Sequence, residues 1–276
     1  MSRTIKLLIL LSIVASPTLL HAQKGFFIPN PLVIPVHTQA NQLHVSLGIG
    51  RGYNLNASYA VTNHLALFAS GSFNKGTSKR RSLIGGSRFN LETDDHAVTG
   101  GLGYFFASNS ASGLTIETYF GTGRYKADNY WYFVKYGGTE TATQAEYWNV
   151  FGQLNILTVK RKSEAGIAVK LAYNQYSRFQ FYDFNVDPQA RNRYENVWSI
   201  NIEPVGSYSY KWRKLKLNAQ VGISFPLLTN YIRWYVMYPA TQEDRLIDSA
   251  EVKPGLGALI GSISLQYNFN LKPRNE

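Results

Sequence analysis

Residues 43–61 read LHVSLGIGRGYNLNASYAV. The odd positions run Leu43, Val45, Leu47, Ile49, Arg51, Tyr53, Leu55, Ala57, Tyr59 and Val61, apolar throughout except for Arg51. Between them lie His, Ser, Gly, Asn and Ala. A period of two places one set on one face of a strand. Either this is one very long strand, or two strands joined by a turn that preserves the alternation. A three-residue hairpin loop, Gly50-Arg51-Gly52, sets Ile49 opposite Tyr53 on the same face, so the pattern passes through it unbroken. Glycine at both flanks supplies the conformational freedom such a loop needs. Two strands, 43–49 and 53–60, are therefore expected.

The same texture recurs to the end of the chain. Apolar sets such as Leu65, Leu67, Ala69 and Phe73; Val98, Leu102, Tyr104 and Phe106; and Ile263, Leu265, Tyr267 and Phe269 alternate with Ser, Thr, Asn, Gln and Gly. A soluble sheet facing water would carry many Lys and Glu on its second face. A small, uncharged second face is instead that of a barrel whose exterior meets lipid. The connections alternate as well: short at 61–64, 107–113, 158–164 and 209–214, long at about 75–94, 127–145, 178–194 and 227–255. With the first hairpin split, the expectation is an all-β, transmembrane up-and-down antiparallel β-barrel of ten strands. The strands begin and end on the periplasmic side, so both termini are expected there. A single strand over 43–61 would leave an odd count.

Composition agrees. Hydrophobic residues make up 45% of the 276 residues and aromatic ones 14%, a bias toward pleated surfaces. Mean hydropathy is slightly negative, which excludes a bundle of membrane helices. Arg3 and Lys6, an apolar run from Leu7 to about Ala15 and the small Ala22 form the layout of a secretory signal peptide, with a core shorter than a bilayer span. Cleavage after Ala22 divides the chain into a signal peptide (1–22), an extended lead-in (23–41) containing Pro29, Pro31 and Pro35, the barrel (42–270) and a short tail (271–276). The lead-in is read as a periplasmic approach or as an internal plug lying against the barrel, with a partner-binding arm as the further alternative. There is no cysteine, hence no disulfide, no thiolate metal site and no lipid-modified cysteine. Loss of Arg3 and Lys6 lowers the net charge from +11 to +9, which still favours anionic surfaces.

The stretches YAVTNHLALFASGSF (59–73), FFIPNPLVIPV (26–36) and GSISLQYNFN (261–270) carry a likeness to a known class. Here the chain resembles the small outer-membrane β-barrel proteins of Gram-negative bacteria, in particular those of the Bacteroidota type. The resemblance covers about residues 42–270. It implies residence in the outer membrane, contact with outer-membrane lipids and with lipopolysaccharide, and insertion by the barrel assembly machinery, which would read the closing aromatic strand. It departs from many members in that NLKPRNE follows Phe269.

Four charges, Glu117, Lys170, Glu203 and Lys216, fall on the polar face and are expected to pair across a lumen that is plugged or very narrow, since open channels need more strands. Lys75, Lys79, Arg80, Arg81 and Arg88 form a basic first loop suited to phosphates or an acidic partner. Aromatic clusters near strand ends read as interfacial girdles, and no nucleic-acid motif accompanies them. Asp94-Asp95-His96 lies at the rim, but the other long loops contain no histidine to complete a proteolytic site, and a lipid-hydrolysing His–Ser pair has only His96 to draw on. No HExxH or cysteine set suggests a metal, and no glycine fingerprint suggests a nucleotide cofactor. The function expected is therefore structural or surface-interacting through long extracellular loops, without catalysis or cofactor. A narrow channel for small solutes is the first alternative, and a lipid-modifying or proteolytic barrel the second.

Overall fold

The computed structural model describes residues 26–28, 30–81, 88–107, 113–133, 140–183, 191–229, 233–238, 243–248 and 257–271. The signal peptide expected at 1–22 and the tail from 272 onward lie outside the described residues. Among the described residues are thirteen strands: β1 (Gln42–Ile49), β2 (Tyr53–Ala60), β3 (Leu65–Arg81), β4 (Arg88–Ala107), β5 (Leu114–Phe133), β6 (Glu140–Val159), β7 (Ser163–Asp183), β8 (Arg191–Glu195), β9 (Trp198–Trp212), β10 (Leu215–Thr229), β11 (Arg233–Tyr238), β12 (Glu243–Asp248) and β13 (Ala258–Asn270). β1 to β7, β9, β10 and β13 form the staves of one barrel. β13 pairs antiparallel with β10 on one side and with β1 on the other, which joins the two ends of the sheet. The ring is closed at ten strands, so at the height of β1 and β2 each stave is paired on both sides.

The opening stretch folds as the alternation predicts. β1 and β2 pair with Ile49 opposite Tyr53, and the Gly50 N–H donates to the Gly52 carbonyl at 2.8 Å across the three-residue loop. The reason for the glycines differs from the one expected. Neither is among the residues with positive φ. They are needed because a Cβ on Gly50 would lie 2.6 Å from the Gly261 carbonyl, and one on Gly52 2.4 Å from that of Phe73.

Alternation assigns the two faces. Leu47, Ile49, Leu55, Leu67, Val98, Leu102, Phe120, Leu154, Leu171, Leu217 and Ile263 point out and are exposed, whereas Ser70, Thr99, Asn149, Gln153, Asn201, Gln220 and Gln266 point in and are buried. On β3 the outward apolar series runs from Leu65 to Phe73 before Lys75 follows. Nine residues at about 3.4 Å each, tilted by roughly 40°, give a band near 25 Å tall. Aromatic residues mark both borders of the band: Tyr104, Phe106, Tyr208, Tyr210 and Trp212 at the short-turn rim, and Tyr53, Phe73, Trp148 and Tyr173 at the far rim.

Beyond the far border the strands do not stop. The segments expected as long loops are largely a continuation of the sheet. β3 and β4 stay paired as far as Arg81 and Arg88, β5 and β6 as far as Tyr132 and Glu140. The outward face turns polar there, but a ladder in water needs only its backbone bonds, so the change of face marks the edge of the apolar band and not the end of pairing. β7 bulges where its partner passes from Glu146 to Tyr147. Its lower part pairs with β9, while Gln180 and Phe181 pair with β8, which continues to β11 and β12. One wall of the barrel thus rises far above the other, where β1 and β2 are eight residues each.

Candidate functional site

The lumen is occupied by the protein's own amino-terminal segment. Residues 26–28 and 30–37 of the lead-in run through it, with Phe26, Phe27, Ile28, Leu32, Val33, Ile34 and Val36 all buried. Of the readings of this segment, the internal plug is the one adopted. At about 1.5–3 kcal/mol for each large apolar side chain, burial of these seven contributes roughly 10–20 kcal/mol as an upper bound.

Along Leu32, Val33 and Ile34 successive side chains enter different clusters. Leu32, Ile34 and Val36 pack with Leu157, Ala168, Val205 and Ile260. Val33 turns the other way, to Phe68, Tyr119, Phe151 and Ala172. At the far rim Phe26, Phe27 and Ile28 enter an aromatic cluster with Tyr125, Tyr147, Tyr176 and Phe179. Phe26 stacks on Phe179 at 4.0 Å, and Tyr125 on Tyr147 at 4.6 Å.

An extended segment in a lumen cannot join a ladder that is already complete, so its backbone groups need side-chain partners. The inward polar residues supply them. Gln153 and Asn155 both donate to the Val33 carbonyl, at 2.7 and 3.0 Å. Gln220 donates to the Leu32 carbonyl and accepts from its N–H, an amide pair of 3.0 and 2.9 Å. Lys216 Nζ and Gln266 Nε2 donate to the Pro35 carbonyl at 3.1 and 3.2 Å, and Arg51 to that of Phe27 at 2.7 Å. Prolines at 31 and 35 carry no N–H and remove two donors that would otherwise need acceptors.

Of the four predicted lumen charges, all are buried. Lys170 and Glu203 pair at 2.6 Å. Lys216 does not meet Glu117; it pairs at 2.9 Å with Glu164, which also takes Lys211 at 2.8 Å. Sequence reasoning leaves Glu164 in a short turn at 158–164, although its even-numbered place in the series Glu164, Ala168, Lys170 and Ala172 is the signal that sets it inward. Glu117 has no ion-pair partner among the described residues. Its carboxylate accepts the His37 backbone N–H at 2.8 Å and an Asn155 amide N–H at 3.2 Å. The four residues thus lie in one lumen without forming one network: Lys170 and Glu203 pair with each other, while Glu117 and Lys216 each bond the strap. Sequence reasoning also misses the pairing of Arg51 with Asp95. Arg51 folds inward from the hairpin onto buried Asp95, with its Nη2 at 2.9 Å from the carboxylate.

The proposed basic loop is not a loop. Lys75, Lys79, Arg80 and Arg81 lie on β3 and Arg88 on β4. Lys75 and Lys79 are exposed, with Lys75 opposite Asp94 and Lys79 opposite Asn90. Asp94-Asp95-His96 is divided by the same alternation: Asp95 points in, while Asp94 and His96 stand outside, 3.8 Å apart. Beside them Lys126 bridges Asp94 and Asp128, and the Asp128 carboxylate holds its ammonium above the usual lysine range. Among the described residues, no group of three or more His, Cys, Asp or Glu is placed to hold a metal ion.

Between the strap and the low wall a small crevice remains, open in part to solvent. Pro31 and Pro35 line one side and Ser46, Asn54, Ser262 and Gln266 the other.

No family model and no curated protein matches the chain. Solved structures do resemble it. The crystal structure of CarO2 from Acinetobacter baumannii is 10% identical over 84% of this chain and 100% of that one, with a TM-score of 0.36. The translocator domain of the autotransporter NalP from Neisseria meningitidis is 12% identical over 83% and 86%, with a TM-score of 0.39. The crystal structure of A. baumannii CarO is 10% identical over 87% and 100%, with a TM-score of 0.33.

Proposed function

We propose that the protein is an outer-membrane barrel of the Bacteroidota type, exported by its signal peptide, sealed by its own amino-terminal strap and acting at the cell surface through its tall wall. The observation that carries this reading is the strap. Seven apolar side chains and five lumen donor residues, Gln153, Asn155, Lys216, Gln220 and Gln266, hold it where a solute path would run. The outward apolar band, bordered by aromatic residues, supports a lipid surround. Above it, β3 to β7 with β8, β11 and β12 offer a broad sheet to the medium. Exposed Lys75, Lys79 and Arg124 suit anionic groups such as lipopolysaccharide phosphates. Assembly by the barrel machinery belongs to this reading; catalysis, a cofactor and nucleic acid do not.

The crevice beside the strap favours a second reading, a narrow path for small uncharged solutes. Planar-bilayer recording on the purified full chain separates the two. The sealed barrel predicts no conductance steps for the intact protein and steps once residues 23–37 are deleted. Steady conductance from the intact chain would overturn it in favour of the channel.

A further inference from the structure

The strap has a direction, and the direction places the amino-terminal end of the chain. At the short-turn rim Asn41 is tied down by its N–H to the Ala60 carbonyl at 2.8 Å and by its carbonyl to the Leu271 N–H at 2.9 Å. From there the contacts climb. His37 meets Glu117, near the start of β5. Pro35 meets Lys216, near the start of β10, and Leu32 meets Gln220 four residues further along the same strand. The Asn30 side chain meets Ser72, and the Ile28 N–H meets the Tyr147 hydroxyl. Phe27 ends under Arg51 in the β1–β2 hairpin, and the Phe26 carbonyl accepts from Tyr176. Every step moves from the rim of the short turns toward the rim of the tall wall. An extended chain of this length at about 3.1 Å per residue spans roughly 35 Å, enough to cross the band described above.

We infer that the strap is threaded outward, so that the amino-terminal end of the exported chain emerges at the cell surface and not in the periplasm. This rests on the proposed outer-membrane reading, which puts the tall wall outside. It reverses the sidedness expected from the position of β1, because β1 begins at the short-turn rim while the segment before it has already crossed the lumen. The aromatic cluster around Phe26 and Phe27 then serves as a collar where the chain leaves the barrel, and the end beyond it is available to partners or proteases outside the cell.

The absence of cysteine makes the test direct. Single cysteines are introduced as Lys24→Cys, Lys79→Cys on the tall wall and Lys214→Cys in the short β9–β10 turn. Intact cells, and cells with a permeabilised outer membrane, are treated with a membrane-impermeant maleimide. The threaded strap predicts that positions 24 and 79 are labelled to the same extent on intact cells, and position 214 only after permeabilisation. If 79 and 214 behave this way but 24 is labelled only after permeabilisation, or in neither state, the threading is overturned while the outer-membrane reading stands. If 79 is not labelled on intact cells, or 214 is, the outer-membrane orientation fails and the inference falls with it.

Discussion

Lys170 on β7 and Glu203 on β9 stand directly opposite each other, with their charges 2.6 Å apart and both side chains out of water. Removing one partner from such a pair leaves the other charge buried alone, at a cost of about 3–5 kcal/mol, whereas removing both can be close to neutral. Lys170→Met is therefore expected to lower the temperature at which the compact band on an unboiled gel is lost. Lys170→Met with Glu203→Gln should recover most of the loss. Additive losses in the double variant would contradict a buried pair.

Arg51 links three parts of the molecule, the hairpin, buried Asp95 and the strap carbonyl of Phe27. Arg51→Ala leaves Asp95 without its cation and frees the outer end of the strap, costing about 2–4 kcal/mol. In planar bilayers the variant should show intermittent openings that the parent does not. A silent, fully stable variant would mean that the aromatic collar alone seats the strap.

The apolar band can be measured by placing charge at chosen heights. Leu102 is exposed on the outer face of β4, and His96 lies on the same face at the far border of the band, opposite Phe73. Leu102→Arg should cost about 2–4 kcal/mol in lipid and His96→Arg close to nothing. Equal tolerance of both in folding into phospholipid vesicles would show that the exterior does not face hydrocarbon.

Gly52 in the β1–β2 loop and Gly71 on β3 differ in what surrounds them. A methyl group on Gly52 would meet the Phe73 carbonyl at 2.4 Å, while on Gly71 the nearest atom is 3.7 Å away. Gly52→Ala is expected to destabilise by about 1–3 kcal/mol through overpacking. Gly71→Ala should be neutral or stabilise by up to about 1 kcal/mol. Urea titration of the vesicle-inserted barrel would compare them.

Most of the barrel is legible in the period-two pattern of the chain. That pattern sets the faces of Leu47, Val98 and Ile263 outward, puts Glu117, Lys170, Glu203 and Lys216 inward, and divides 43–61 at Gly50-Arg51-Gly52. What it does not carry is where pairing ends, because polar outward residues such as Asp94 and Lys126 sit in a ladder as well as in a loop. Nor does it choose between the two courses of residues 26–37. Proline and apolar residues in an extended segment suit either a rim or a lumen, and the decision lies with donors such as Gln153 and Gln220 from strands far along the chain. Arg51 escapes for a related reason: in a turn, alternation no longer dictates direction.

The strap also bears on the order in which the molecule can be made. The seam that completes the cylinder joins β1 to β13, the first and last strands, and so waits for the whole chain. Contacts between such distant parts form late, since loop-closure entropy opposes them until other pairings bring the ends together. The strap precedes β1, and its partners Glu117, Gln153, Lys216 and Gln266 come from β5, β6, β10 and β13, strands spread around the ring. A segment gripped from all sides enters most readily while the sheet is still open. It can then act as a mandrel, a core about which the staves curl before the last seam shuts.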